Sequence, residues 1–195
     1  NFNTVVGDEA GTAITTGDQN VAVGYQALDA LNTAIRNVAI GTSALTSDTK
    51  GETSVAVGHS ALFAQNFTSQ TSSHNTAVGY HAGVNVTTGI ENTLIGALAG
   101  DALDDADYNI AIGFSALSKD TKGNKSVAIG REALFNQNFT SSTDVFNTAV
   151  GYSAGVAVTT GDSNTLIGGL AGDALTEGKN NTVVGKGALS SDTQG

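Results

Sequence analysis

Short apolar stretches recur along the chain, and each of them ends in glycine. A β-branched residue, a small or aliphatic residue and then Val or Ile precede the glycine, as in VAV before Gly24 and TAV before Gly79. Alternating side chains of this kind are typical of a short β-strand, and glycine can end it with backbone angles that other residues avoid. The pattern therefore predicts a series of short strands, each followed by a turn.

These glycines fall on a fixed spacing. Successive glycines are separated by 17, 17, 17 and 21 positions, and the same order then repeats, so that four units make one superrepeat. Residues 75–123 match residues 147–195 at 32 of 49 positions, which indicates duplication of a four-unit block. We place the superrepeats at about 3–74 and 75–146, with an incomplete third at 147–195. The eleven glycines are Gly7, Gly24, Gly41, Gly58, Gly79, Gly96, Gly113, Gly130, Gly151, Gly168 and Gly185.

Strands of three residues bury little on their own, so the copies must stack, about 4.8 Å apart, into one sheet. The sequence predicts an all-β fold, a parallel β-solenoid of about eleven coils of 17 or 21 residues and roughly 50 Å long. Residues 84–89 (VNVTTG) and 156–161 (VAVTTG) have the alternation of a second strand. We interpret residues 1–195 as one solenoid domain and, because no polar capping unit stands at either end, as a fragment of a longer fibre.

Two further columns of the repeat have a structural interpretation. Asn stands four residues before the glycine in nine units, with Ser54 and Ser126 in the other two. Stacked Asn side chains can bond to the amides of neighbouring coils and satisfy the turn backbone, or Asn can simply tolerate the turn geometry. The middle strand position is Ala in seven units and Val or Leu in the rest, where a wet face would carry polar residues. This second apolar contact is made with another part of the coil or with another chain, and we expect lateral association between chains to bury it.

The two long coils contain FAQNFTSQTSSH at 63–74 and FNQNFTSSTDVF at 135–146. Their four extra residues must bulge from the rod. Phe67 and Phe139 either follow the bulge outward or fold back as plugs, and a plug is the commoner arrangement for an isolated Phe. We expect plugs.

Composition narrows the range of partners. The chain has 8 basic and 18 acidic residues, a net charge of −10, which repels a nucleic-acid backbone. Cysteine is absent, so disulfides and thiolate metal sites are excluded. No apolar run approaches the roughly 20 residues of a membrane helix. We therefore expect neither nucleic-acid binding nor membrane insertion of this segment.

The repeat contains no residue pattern that is typical of a catalytic or metal-binding site. Asp101, Asp104, Asp105 and Asp107 form the densest acidic cluster, but one superrepeat later the cluster dissolves, which favours a solvated turn over paired catalytic carboxylates or a calcium site. The histidines at 59, 74 and 81 lie in two adjacent coils. A metal site needs three ligands with matched geometry, and histidines on a polar solenoid surface are usually solvated. We predict no enzyme activity, no cofactor and no metal.

One column outside the predicted core has the character of a binding surface. Aromatic residues alternate with cationic ones immediately after the glycine, and such residues are common in binding sites. They can equally cover the edge of the apolar face. The candidate surface residues are Tyr25, Tyr80, Phe114, Arg131 and Tyr152.

The units NVAIG at Asn37, SVAVG at Ser54, NIAIG at Asn109 and SVAIG at Ser126 resemble the head repeat of YadA-like trimeric autotransporter adhesins. The variants NTAVGYHAG and NTLIGALAG resemble repeats of phage tail-fibre shafts. The resemblance covers essentially the whole chain and implies a left-handed β-roll wound as a homotrimer, on an extracellular fibre of a bacterial surface or a virion. It also implies self-association and attachment to a host-surface protein or glycan. A tailspike-type polysaccharide hydrolase and a pure spacer are the alternatives.

Overall fold

The structure is a computed structural model that describes residues 2–195, and it contains β-strands and turns. Eleven strands have three residues and four have two. In chain order they are β1 (Thr4–Val6), β2 (Val21–Val23), β3 (Val38–Ile40), β4 (Gly51–Glu52), β5 (Val55–Val57), β6 (Thr71–Ser72), β7 (Thr76–Val78), β8 (Thr93–Ile95), β9 (Ile110–Ile112), β10 (Gly123–Asn124), β11 (Val127–Ile129), β12 (Thr143–Asp144), β13 (Thr148–Val150), β14 (Thr165–Ile167) and β15 (Thr182–Val184).

The eleven three-residue strands form one parallel sheet in the order in which they occur along the chain. Each strand pairs with the equivalent residues of the next coil: Val21 lies beside Val38, and Val38 beside Val55. The same register holds across the long coil, where Val55 pairs with Thr76. Because identical columns stack on one another, the predicted parallel β-solenoid of about eleven coils is confirmed.

The glycine after each strand is required by the closeness of the coils. At Gly58 φ is 136°, and a Cβ there would lie 2.3 Å from the carbonyl oxygen of Gly79 in the coil above. Every glycine of this column down to Gly168 meets the next coil in the same way. A side chain would therefore break the stacking as well as strain the backbone.

The middle residue of each strand points into the coil. Ala22, Ala39 and Ala56 are fully buried, whereas their β-branched neighbours are half-buried or exposed. The Ala column therefore packs against another part of its own coil, and the expectation that it lies against another chain is wrong. Side chains alternate along a strand, so the outward apolar surface belongs to the Val, Ile and Thr on either side.

Where one core position of the narrow coil carries a larger residue, the positions opposite it carry smaller ones. Leu94 replaces Ala in the middle of β8, and glycines stand opposite it in two successive coils. A Cβ at Gly83 would lie 2.6 Å from Leu94 Cδ1, and one at Gly100 2.8 Å from Leu94 Cδ2. Leu166, Gly155 and Gly172 repeat this arrangement one superrepeat later. The superrepeat thus keeps the core filled while single positions change size.

The Asn column forms a buried hydrogen-bonded ladder. Asn92 Oδ1 accepts the backbone N–H of Asn109 at 3.0 Å, and Asn92 Nδ2 donates to the carbonyl oxygen of Ala106 at 2.8 Å. Asn20 and Asn37 make the same pair of contacts one coil apart. The hypothesis that stacked Asn side chains satisfy turn backbone is confirmed.

The rest of each coil is a succession of turns with recurrent left-handed residues. His81 and Gly83 both have positive φ, near 54° and 57°, within two residues of each other. Such alternation turns the chain too sharply for an extended strand. The second strands predicted at 84–89 and 156–161 are therefore absent from the described chain, and those segments are turns that bury Val86 and Val158.

Each long coil uses its extra residues to form a small second sheet with the coil before it. Strand β6 pairs with β4, and β12 pairs with β10. Phe67 folds back and is buried, and Phe139 is half-buried. The expected plug is confirmed for Phe67 and is partial for Phe139.

The two Ser residues of the Asn column, Ser54 and Ser126, stand immediately before the strands that lead into the two long coils. Gln65, from the long coil, donates from Nε2 to Ser54 Oγ at 2.9 Å and accepts from Asn75 Nδ2 at 2.9 Å. Gln137, Ser126 and Asn147 repeat the contacts. A glutamine side chain thus occupies the space that the shorter Ser leaves in the ladder.

Candidate association surface

The largest distinctive surface is the outward side of the eleven-stranded sheet, which we call the sheet face. Its members are the first and third residues of each three-residue strand, and all of them are Val, Ile or Thr. Ile40 and Ile167 are each about 40% exposed, and Ile95 and Ile110 nearly as much. In a chain with a net charge of −10, this face is an uncharged apolar strip along the whole rod.

The size of the sheet face sets it apart from ordinary exposed residues. Three residues span about 10 Å across the sheet, and eleven strands span about 50 Å along it, which gives roughly 500 Å². Monomeric soluble proteins rarely expose larger contiguous apolar patches, and patches of this size commonly mark interaction sites.

A flanking column follows the sheet face, formed by the residue directly after each strand glycine. The predicted surface residues all lie in it, and Tyr25, Tyr80, Phe114 and Tyr152 are about half exposed. The Arg131 guanidinium carbon lies 5.5 Å from the centre of the Phe114 ring and 6.0 Å from that of Tyr152. These three side chains therefore form one cation–π stack across three coils.

The other two members have different surroundings. Tyr80 stacks on His81 with ring centres 3.9 Å apart, and His59 lies 5.5 Å from both rings. Tyr25 stands apart from these groups, beside Glu9, whose carboxylate raises the pKa of the Tyr25 phenol by hydrogen bonding and by its charge. The structure thus places the five predicted residues in one column but divides them into three local groups.

The acidic cluster connects neighbouring coils. Asp104 accepts from Thr87 Oγ1 at 2.6 Å, and Asp107 Oδ1 accepts the N–H of Ile90 at 2.8 Å. Lys122 of the following coil lies 3.3 Å from Asp105 Oδ2 and 3.8 Å from Asp104 Oδ2. Burial raises the pKa of Asp101, whose carboxylate accepts a hydrogen bond from Ser118 of the next coil. These half-buried or exposed carboxylates lie outside the strands and form hydrogen bonds and ion pairs with neighbouring coils along the axis of the rod.

Residues 2–195 are the part of the chain that the structure describes. In that range no group of three or more His, Asp or Glu side chains is arranged to hold a metal ion. His74 is exposed and does not belong to the ring group that His59 forms with Tyr80 and His81. No helix long and apolar enough to cross a membrane occurs in the described chain.

Sequence reasoning missed the sheet face because it assigned the association between chains to the Ala side of each strand. The pattern shows that two apolar sides exist, yet alternation alone does not say which one faces inward. The signal that could have decided it is size. The space between the opposed walls of so narrow a coil is large enough for Ala. Val and Ile in every coil fit better on the outer side of the sheet. Comparison with known proteins adds no further guide, since no protein-family model, curated protein or solved structure matches this chain.

Proposed function

We propose that this chain is a structural and adhesive segment of a homotrimeric extracellular fibre, in which three left-handed solenoids associate through the sheet face. The observation that carries the proposal is the sheet face itself: an uncharged strip of Val, Ile and Thr that runs the length of the rod in a chain whose net charge is −10. Burying this strip removes apolar surface from water, the main driving force of association.

A second copy of the same chain is the occupant that this surface fits best. A neighbouring rod presents identical rows at the same spacing of about 4.8 Å, so contacts repeat over the full length. The acidic surfaces of the rods then remain outside, in solvent. Symmetric self-association of this kind is the usual way in which soluble chains form oligomers.

In a trimer the flanking column would lie beside each interface, and the exposed parts of its side chains would remain in contact with solvent. Aromatic and cationic side chains are enriched where proteins bind partners. We propose that Tyr25, Tyr80, Phe114, Arg131 and Tyr152 contribute to attachment to a host-surface protein or glycan. Three copies of the column on one fibre would strengthen a weak contact through multivalency.

The mass of the protein in solution tests the proposal. Multi-angle light scattering over a range of concentrations is expected to give about three times 19.5 kDa. Replacing Val57 by Lys on the sheet face should lower the mass toward that of one chain, because an unpaired charge cannot be buried in an apolar contact. Thr88→Lys is the matched control, since Thr88 is exposed in the next coil but lies off the sheet face.

A monomeric mass at every concentration would contradict the trimeric fibre. A trimer that attaches to no surface would favour the spacer, in which the rod only separates other parts of a fibre. Circular dichroism of both Lys variants, with unchanged β-signal and melting, keeps loss of association distinct from loss of fold.

A further inference from the structure

The three histidines of the chain lie close together along the rod, around strands β5 and β7. His59 follows the glycine that ends β5. His74 stands two residues before β7, and His81 comes three residues after it. His74 and His81 therefore lie at the same level of the rod on opposite edges of the sheet face, and His59 lies one coil away from His81.

The spacing of His59 and His81 suits a shared metal ion. Their ring centres lie 5.5 Å apart. Two imidazoles bound to one zinc ion have ring centres about 5 Å apart, because each bound nitrogen lies about 2 Å from the ion. Tyr80 stacks on the face of the His81 ring, with centres 3.9 Å apart, and a stacked ring keeps the nitrogens at its edge free to bind. Ser60 Oγ lies 3.0 Å from His59 Nδ1 and can accept its hydrogen bond, an arrangement typical of metal-bound histidine that leaves Nε2 for the ion.

Two histidines do not complete a metal site. Zinc takes four ligands, and a protein site supplies at least three of them. His74 cannot be the third ligand within its own chain, because the whole width of β7 and its flanking residues lies between it and His81, roughly 15–20 Å of extended chain. A third histidine therefore has to come from another chain.

We infer that His59 and His81 of one chain, together with His74 of the neighbouring copy, bind a divalent transition-metal ion such as Zn²⁺ at each interface of the trimer. The inference rests on the proposed association through the sheet face and adds a ligand site to it. It departs from the sequence-based prediction of no metal, which considers the ligands of a single chain.

The closed trimer brings these residues together. Around a threefold axis, the edge that follows the strands of one sheet face meets the edge that precedes the strands in the next copy. The copies lie level with one another, so His74 of the neighbouring copy comes beside Tyr80 and His81. The same contact forms at all three interfaces, and each interface therefore holds one site.

The chemistry of the surroundings favours a bound cation. Imidazole nitrogens suit Zn²⁺, Cu²⁺ and Ni²⁺, and three of them with one water complete a tetrahedral zinc site. The net charge of −10 on each chain attracts cations to the rod. His59 and His74 are exposed and His81 is half-buried, so an ion can reach the rings from solvent. An ion that binds only the assembled trimer stabilises it by mass action.

Zinc binding to the untagged protein tests the site directly. Protein freed of metal with a chelator is titrated with zinc chloride by calorimetry, and its mass is measured by light scattering with and without zinc. We expect one zinc ion for each chain and a higher melting temperature in the presence of zinc.

Single variants identify the ligands. His59→Gln, His81→Gln and His74→Gln should each weaken zinc binding by roughly tenfold or more, with unchanged circular dichroism. Glu91→Gln is the matched control, because Glu91 is exposed and stands one coil beyond His74 on the same edge of the sheet face. It removes a charge that attracts cations but no ligand, and it should leave the affinity nearly unchanged.

Mixed trimers show whether the third ligand comes from the neighbouring copy. Neither His74→Gln nor the double variant His59→Gln/His81→Gln has a complete site by itself. When equal amounts are unfolded together and refolded, about a quarter of the interfaces join His59 and His81 of one protein to His74 of the other. Tight zinc binding should return at that fraction of the sites.

The outcomes separate this inference from the proposed function. A trimer that binds no zinc, one whose zinc affinity is unchanged by His74→Gln, or mixed trimers that recover no binding overturn the inference and leave the association standing. A monomeric mass both with and without zinc overturns the association and, with it, the shared site. Loss of binding in all three histidine variants, with recovery in the mixed trimers, supports both.

Discussion

Gln65 donates a hydrogen bond from Nε2 to Asp48 Oδ2 over 2.5 Å, and both side chains are completely buried. They occupy the same core column in consecutive coils, where Leu31 and Val86 stand in the coils on either side. Gln137 and Asp120 repeat the contact at the same distance. The solenoid therefore places a polar pair in its core wherever a long coil follows a short one.

Asp48→Asn should destabilise the fold by about 1–3 kcal/mol, because it places two amide donors against each other. Rotating the Gln65 amide only moves the conflict to Asn75, which donates to Gln65 Oε1. Asp48 Oδ1 also accepts the backbone N–H of Gly51 at the start of β4, at 2.8 Å, and that of Phe67 in the long coil, at 3.3 Å. Urea unfolding followed by circular dichroism measures the change. The exposed carboxylate variant Asp105→Asn should cost less than about 1 kcal/mol, and equal losses in the two proteins would contradict this account.

Asn92→Ala should destabilise the rod by about 2–4 kcal/mol, since it leaves the Asn109 N–H and the Ala106 carbonyl oxygen buried without partners. Asn181→Ala is the matched control in the same column. Its amide donates to Asn164 Oδ1, but Asn181 is only half-buried and stands at the last described coil. We expect a clearly smaller loss there by thermal unfolding. If Asn were only tolerated in the turn and made no necessary hydrogen bonds, Asn92→Ala and Asn181→Ala would cause equal and small losses of stability.

Gly100→Ala should cost about 2–4 kcal/mol, the sum of a strained left-handed residue and overpacking against Leu94 and Leu103, each of which has a Cδ atom 2.8 Å from the added Cβ. Gly187 separates these contributions, because it has a similar φ of 63° with nothing within 4 Å of an added Cβ. Gly187→Ala should therefore cost only about 1 kcal/mol. Combining Gly100→Ala with Leu94→Ala should relieve the part of the overpacking that is due to Leu94, while the contact with Leu103 remains. Differential scanning calorimetry of the single and double variants tests the coupling. Purely additive losses would show that Leu94 and Gly100 are not fitted to each other.

Acidification should raise the contribution of Asp101 to stability. Burial raises the pKa of Asp101 above its ordinary value of 3.8, so the folded state binds the proton more tightly than the unfolded state. Stability therefore rises as the pH falls through the window between the raised pKa and 3.8. Asp101→Asn should stabilise the protein at pH 7 by less than about 1 kcal/mol, because the group is half exposed and screened. Melting temperatures from pH 7 to pH 3 should differ between variant and parent at neutral pH and converge in acid; a constant difference would refute the assignment.

If the flanking column attaches the protein to a host-surface protein or glycan, Arg131→Gln and Tyr152→Ala should each weaken that binding several-fold. The oligomeric mass and the melting temperature should stay unchanged. Both side chains belong to one cation–π stack, so the double variant should lose little more than either single variant. Beads coated with each protein are compared for retention on immobilised glycans and extracellular-matrix proteins. Tyr108→Ala is the control, an exposed aromatic outside the column. Equal retention of all variants would remove the column from the attachment surface.

The sequence by itself determined the parallel solenoid, the number and length of its coils and the Asn ladder. These features depend on one constraint, the stacking of identical coils, which requires glycine where Gly58 meets Gly79 and Asn where Asn92 meets Asn109. Constraints of that kind leave glycine in every repeat and Asn in nine of the eleven, so the period can be read directly from the sequence.

Only the tertiary structure decided which side of each strand faces inward, where the second strands form and why Ser54 interrupts the ladder. Alternation separates the residues of a strand into two sets without assigning either to the interior. The assignment depends on the width of the closed coil, which admits Ala39 between opposed walls and leaves Ile40 outside. Likewise, the Asp48–Gln65 pair joins residues 17 positions apart whose polarity suggests surface turns, and it becomes a core contact only when the coils stack.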